Sequence, residues 1–294
     1  MIFLVDATGL YYRSYYALKK ANLKNSKGFP TFAIFAFLRS LIKYYKDYKP
    51  KDFIFVFDTP LPSSQKYRKN TFSAYKAKRS KIYQNDFKVQ IPVLKNILTN
   101  LGFLVLDSGF YEADDILGSL AKKLEKEKTD IGIITFDKDL FQIISDRTSI
   151  YRIKQKIENL EIWDKGRFIK EYDFQPVSFP DYLALCGDQV DNIPGVPGIG
   201  PKTAKNLIKA YTNLEGIYKN IEKIPLNLRG NLLEHKNEVF KYRDLIKLKT
   251  DIDVNLKKLQ PNYEKIKSIV LDELEMKKLF SEIEKTFFLS SSLF

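Results

Sequence analysis

Cysteine and histidine are almost missing from this chain. Cys186 is the only cysteine, which rules out an internal disulfide, and His235 is the only histidine. Together they argue against a zinc site, which draws mainly on those two residue types. A metal here would be held by oxygen ligands, pointing to magnesium or manganese, with calcium also compatible. No uncharged apolar run approaches the roughly 18 residues of a membrane span. The opening Met1-Ile2-Phe3-Leu4-Val5-Asp6 lacks a basic stretch and soon reaches a charge, so it does not read as a signal peptide. Low-complexity tracts and internal repeats are absent as well. These absences lead us to expect a soluble, cytoplasmic protein.

Negative charge is also short, with 36 Asp and Glu against 49 Lys and Arg, a net +13. Such an excess suggests a polyanionic partner, either nucleic acid or an anionic membrane surface. The 294 residues suffice for one large domain or two modest ones, and 22 Phe and 18 Tyr can fill a sizeable core.

Residues 2–5 and 53–57 are continuous apolar runs, as expected of strands covered on both faces, and they end in Asp6 and Asp58. Residues 103–106 and 131–135 read as further strands, the second followed by Asp137 and Asp139, and 149–153 and 160–163 are also β-rich. The spacing predicts helices over about 10–21, with Thr8 a candidate cap, from Pro30 toward Tyr48, over 86–101, and from Tyr111 onward. This alternation predicts an α/β fold, a mostly parallel central sheet with helices on both faces. Beyond Pro176 the chain reads as helical, giving regions 1–175 and 176–294, with a last capping helix at about 272–287.

In such sheets, sites form beyond the carboxyl ends of the strands, where Asp6, Asp58 and Asp137 fall. Tyr111-Glu112-Ala113-Asp114-Asp115 adds three carboxylates at a helix start, with Glu112 and Asp115 expected on one face and Asp114 about 100° away. Acids in a first turn often answer only the helix dipole. Three together are crowded: at ~4 Å, like charges repel by roughly 4 kcal/mol at an effective dielectric of about 20, unless a cation sits between them. With Asp139, Asp188 and Asp191, the acidic set reaches nine. Converging carboxylates suit hard cations, and two such ions about 3.5–4 Å apart suit phosphoryl transfer.

Residues 63–95 carry nine basic side chains against one acid, Asp86, interleaved with Tyr67, Phe72, Tyr75, Tyr83 and Phe87. A solvated charged face is the plain reading; the interleaved aromatics favour contact with phosphates and bases. Gly195-Val196-Pro197-Gly198-Ile199-Gly200-Pro201-Lys202-Thr203-Ala204 is a glycine hairpin opening a helix. It is either a simple helix–helix turn or, with Lys202, Thr203 and Lys205, a cradle of N–H groups and cations for a phosphate.

Several ordered motifs then coincide: Leu4-Val5-Asp6, Val56-Phe57-Asp58, Tyr111-Glu112-Ala113-Asp114-Asp115, Asp137-Lys138-Asp139 and Gly187-Asp188-Gln189-Val190-Asp191-Asn192-Ile193-Pro194-Gly195. Tyr67-Arg68 with Tyr75-Lys76-Ala77-Lys78-Arg79, and Gly198-Ile199-Gly200-Pro201-Lys202-Thr203-Ala204, extend the pattern over nearly the whole chain. In these motifs the chain resembles the 5′-nucleases of the flap endonuclease superfamily, especially the 5′→3′ exonuclease domain of bacterial DNA polymerase I.

The resemblance implies a PIN-like nuclease core, a helical arch over 61–90 and a helix-hairpin-helix at about 186–212. It implies two Mg2+ ions, replaceable by Mn2+. Asp6, Asp58, Glu112, Asp114 and Asp115 would hold or orient the first, and Asp137, Asp139, Asp188 and Asp191 would build the second. Lys76 and Arg79 would offset charge on the scissile phosphate, and Arg68, Tyr75, Lys78, Tyr12 and Arg13 would contact DNA. Gly198, Gly200, Lys202, Thr203 and Lys205 would hold duplex backbone, aided by K+ on the Val196 and Ile199 carbonyls.

The activity so implied is a 5′→3′ exonuclease and 5′-flap endonuclease, leaving 5′-phosphates, in DNA replication and repair. Its partners would be DNA with flaps, 5′ ends or nicks and RNA–DNA hybrids, with no membrane, and the protein would be a monomer. The chain departs from the family pattern at Ala7, Phe32, Ala36 and Lys69, none of them a carboxylate, so packing or substrate preference is affected rather than chemistry. With no polymerase segment after Phe294, a stand-alone enzyme is the simpler expectation, a polymerase fragment the other. The rival readings are a non-catalytic DNA-junction binding module and a PIN-type ribonuclease.

Overall fold

A computed structural model describes residues 1–60, 85–153 and 160–289 of the chain. Arg68, Lys69, Tyr75, Lys76, Lys78 and Arg79, and most of the expected arch, lie outside the described residues. The strands are β1 Ile2–Asp6, β2 Asp52–Phe57, β3 Leu104–Asp107, β4 Ile131–Thr135, β5 Thr148–Ile153 and β6 Leu160–Trp163. They form one sheet in the order β3-β2-β1-β4-β5-β6, parallel throughout except for the β5–β6 pair.

The apolar runs are continuous because both faces are covered, yet side chains still alternate between two cores. Leu4, Ile54, Val56, Leu104, Ile131 and Ile133 enter an aliphatic core, while Phe3, Val5, Phe53, Phe55, Phe57 and Ile134 enter an aromatic one. In the aromatic layer Phe3 stacks on Phe53 at 5.6 Å between centroids and meets the edge of Tyr151 at 4.8 Å. Gly132, paired in register with Phe3, makes room for them. A Cβ there would lie 2.3 Å from a Phe3 ring carbon and 2.8 Å from Tyr151.

Helices α1 Ala7–Leu18, α2 Phe32–Tyr48 and α3 Asn85–Asn100 cover the aromatic face, and α4 Ala113–Lys126 covers the aliphatic face. The aliphatic core continues into α5 Lys165–Tyr172, α6 Phe179–Cys186, α7 Pro201–Tyr211, α8 Leu214–Lys219, α9 Leu226–Glu234 and α10 Lys236–Ile246. Residues 263–289 then return to the aromatic face, burying Ile266, Val270, Leu279, Phe280 and Ile283 against it.

Three local expectations change. Helix α1 starts at Ala7, so Asp6 rather than Thr8 is its cap, accepting the Gly9 N–H at 2.9 Å. Helix α2 starts at Phe32, because Pro30 is bridged to Lys24 in the preceding loop. The single helix expected over 272–287 is broken: Lys277–Ile283 (α11) follows a turn in which Glu275 adopts φ 59°. The Glu275 carboxylate accepts from the Ser26 N–H at 2.9 Å and from its hydroxyl, so a side-chain tie to the 22–31 loop fixes the break.

Candidate metal centre and nucleic-acid interface

Strand order decides which carboxylates meet. β1 lies between β2 and β4, so Asp6 sits between Asp58, one residue past β2, and Asp137, two past β4. Thr135, fully buried, ties the group together: its hydroxyl donates to Asp6 Oδ2 at 3.3 Å and accepts the Asp137 N–H at 3.0 Å. On the other side the Thr8 hydroxyl accepts the Asp58 N–H at 2.7 Å. Burial pushes the Asp6 carboxyl up to about 7; the Gly9 N–H opposes this, and the nearby charges of Asp58 and Asp137 add to it. A carboxyl raised by burial and like charges is one that a cation would relieve.

The acidic helix start docks onto this row through the Ala113 N–H, which donates to Asp58 Oδ1 at 3.2 Å. Glu112 and Asp115 do not share a helical face, because Glu112 is the cap residue with extended backbone. They meet instead through the Glu112 N–H, which donates to Asp115 Oδ2 at 3.2 Å. Asp115 Oδ1 accepts the Lys249 N–H at 2.9 Å, and the residue is 1% exposed. With an N–H on each oxygen, Asp115 orients the helix start and the 249 segment. Asp114 projects from the first turn, partly exposed.

The second acidic group is closed by a loop pinched between two glycines. Asp188 and Ile193 exchange two backbone hydrogen bonds of 2.8 Å, with Gly187 at φ 82° and Gly195 at φ 76°. A Cβ on Gly187 would lie 2.6 Å from the Pro194 carbonyl, so only glycine permits the closure. The loop brings Asp188 and Asp191 to Asp139, and one carboxylate oxygen from each lies within 4.8 Å of the others, all three residues buried. Opposed ligands of a magnesium ion stand roughly 4.2 Å apart, so this all-oxygen set fits a small hard cation after slight contraction. Asp188 Oδ1 accepts the Val190 N–H at 3.0 Å, and Oδ2 lies 3.2 Å from the Lys138 ammonium. Asp137, expected in this group, has its charge against Asp6; its Oδ1 accepts the Asp139 N–H at 2.9 Å and so joins the two groups.

At the hairpin, the Val196 N–H donates to the Leu185 carbonyl at 2.8 Å and the Ile199 N–H to the Val196 carbonyl at 3.0 Å. The Val196 and Ile199 side chains are buried and hold the turn, leaving Gly198, Gly200 and Lys202 on the surface with Thr203 half-buried. The Lys205 ammonium donates to the Glu171 carbonyl at 2.9 Å, closing α7 onto α5. Asn231 of α9, unmarked by any motif, donates to the Pro197 carbonyl at 2.9 Å and braces the hairpin tip. On α1, Tyr12 is exposed, its ring 4.8 Å from Tyr16 and 5.6 Å from Phe87, with Arg13 beside it. Thr8, Thr135 and Lys138 had a weak signal, standing within two residues of a site aspartate; Asn231 had none.

Comparison with known proteins gives the family of the chain. The model of the 5′-3′ exonuclease N-terminal resolvase-like domain matches residues 1–173, and that of the 5′-3′ exonuclease C-terminal SAM fold matches 174–268. A 5′-3′ exonuclease of Aquifex aeolicus is 39% identical over 97% of this chain and 96% of its own. The thermostable DNA polymerase I of Thermus aquaticus is 36% identical over 96% of this chain, which spans 33% of that protein's length. Among solved structures, the T5 D15 protein co-crystallised with metal ions superposes with a TM-score of 0.68 at 19% identity, over 97% of this chain and 98% of that one. The catalytic core of Rad2 in complex with DNA substrate gives 0.64 at 21%, over 98% and 92%. The two matched models span both the strand-end acids and the pinched acidic loop, and the chain belongs to the 5′-3′ exonuclease family of nucleases.

Proposed function

We propose that the protein is a divalent-metal-dependent, structure-specific 5′→3′ exonuclease and 5′-flap endonuclease of DNA, leaving 5′-phosphate products. The observation that carries this reading is the buried trio Asp139, Asp188 and Asp191 beside the strand-end row Asp6, Asp58 and Asp137. Asp6, Asp58, Glu112 and Asp114 would hold one ion and Asp139, Asp188 and Asp191 the other, with Asp137 between them and Asp115 orienting the helix start. When bound, Mg2+ or Mn2+ supplies the Lewis acidity that activates water and offsets phosphate charge. The chain's own groups do the rest. In Asp6, Asp58, Asp137 and Asp188 one carboxylate oxygen accepts a backbone N–H, which aims the other.

The hairpin N–H groups and Lys202 hold duplex phosphates, and Tyr12 and Arg13 border the approach to the strand ends. Lys76 and Arg79 offset developing charge, as the family resemblance implies. RNA primers on DNA, a K+ ion on the Val196 and Ile199 carbonyls, and action as a cytoplasmic monomer complete the reading. It accords with the absence, among the described residues, of any helix long and apolar enough to cross a membrane.

The test is a labelled 5′-flap duplex, a nicked duplex and single-stranded RNA, each with Mg2+, Mn2+ or Ca2+. Flap cleavage in Mg2+ and Mn2+ is expected, with RNA spared, and Asp191→Asn lowering the rate by a factor of about 100 or more. Binding without cleavage in both Mg2+ and Mn2+ would support the junction-binding module instead. Preferential cutting of single-stranded RNA would support the PIN-type ribonuclease.

A further inference from the structure

Lys138 stands between two site aspartates, and its ammonium reaches a third, Asp188 Oδ2, at 3.2 Å. The Asp188 side chain is 5% exposed and that of Lys138 33%, so a partly exposed lysine reaches a buried carboxylate. Asp188 Oδ1 is already taken by the Val190 N–H. Oδ2 is therefore the oxygen that Asp188 turns to a cation, and Lys138 is the cation that holds it. Asp188 is also one of the three carboxylates whose oxygens cluster within 4.8 Å.

We infer that Lys138 is a built-in counter-ion of the Asp139–Asp188–Asp191 pocket, and that its ammonium and the second divalent ion occupy Asp188 in exchange. The inference rests on the reading of that pocket as a divalent-cation site. Three carboxylates so close repel one another without a neighbouring positive charge. An ammonium suits this duty because it is a compact charge on a flexible four-carbon stem, able to withdraw when an ion arrives. Two favourable interactions competing for one oxygen are linked: whatever Lys138 contributes to the metal-free pocket is subtracted from the affinity of the ion. The lysine thus keeps the second site weaker than its carboxylates alone would make it.

The full chain, stripped of metal, is titrated with Mn2+ while free Mn2+ is followed by electron paramagnetic resonance. Wild type, Lys138→Met, Lys138→Arg and Asp188→Asn are compared, with thermal unfolding of each metal-free protein. Wild type is expected to show a weaker class of site that Asp188→Asn loses. Lys138→Met is expected to tighten that class about tenfold, and Lys138→Arg, which keeps the charge, to leave it within about twofold. Metal-free Lys138→Met should also unfold at lower temperature and regain that loss in Mn2+. If Lys138→Met leaves the weaker class unchanged or weakens it, the inference is wrong while the metal reading stands. If Asp188→Asn binds Mn2+ as wild type does, the metal reading of the pocket fails and the inference fails with it.

Discussion

Asp115 accepts two backbone N–H groups, and an asparagine can accept only one of them. Asp115→Asn should therefore turn an amide donor toward either the Glu112 or the Lys249 N–H, costing about 1–3 kcal/mol. Activity should fall by a factor of about 10–100 while some turnover survives. Thermal melts and initial rates on the same variant check both halves. Asp181, on α6 and outside the acidic set, is another buried acid, with its carboxyl raised to about 6. Burial is the largest cause and outweighs Arg243, whose nearest nitrogen stands 3.7 Å away. Between the unfolded value near 3.8 and about 6 the folded chain holds more protons, so this acid's contribution to stability falls as pH rises through that window. Asp181→Asn should flatten that part of the profile in urea melts at stepped pH; an unaltered slope would refute the assignment. Most site acids were legible in the sequence because each follows an apolar run or sits in a dense acidic motif. The hydroxyls of Thr8 and Thr135 were not, since single hydroxyls near an aspartate are common turn residues.

Elements were legible where periodicity alone decides them. The buried strands and α4 fall near their expected positions because apolar spacing carries that information. The break at Glu275 was hidden, because it depends on Ser26, some 250 residues away in the chain. The brace between α9 and the hairpin was hidden for the same reason, Asn231 lying 34 residues beyond Pro197. If the hairpin holds phosphates, Lys202→Ala should weaken DNA binding across sequences and lower the salt slope by about one unit. Asn231→Ala should weaken binding too but leave that slope nearly intact, because it removes a brace and no charge. Fluorescence anisotropy at several salt concentrations separates the two.

At the scale of the molecule, the two cores are built by chain from both regions of the sequence. Residues 263–289 complete the aromatic layer over β1 and β2, so a chain ending near residue 262 should expose that layer, melt at markedly lower temperature and aggregate. Gly132→Val should also lower stability, by about 1–3 kcal/mol or more, since Phe3 and Tyr151 leave no room for a side chain. The α/β class could be read from the alternation of runs. The order that sets Asp6 between Asp58 and Asp137 could not, because sheet order is a matter of long-range packing. That order, together with the pinched loop, leaves backbone amides as hydrogen-bond donors to carboxylates of the site, among them Gly9, Glu112, Ala113, Asp139, Val190 and Lys249. These amides are spectroscopic windows onto the site. In amide NMR spectra of a Mg2+ titration, their resonances should shift ahead of the bulk of the protein, with Gly9 and Val190 resolving the filling of one locus from the other.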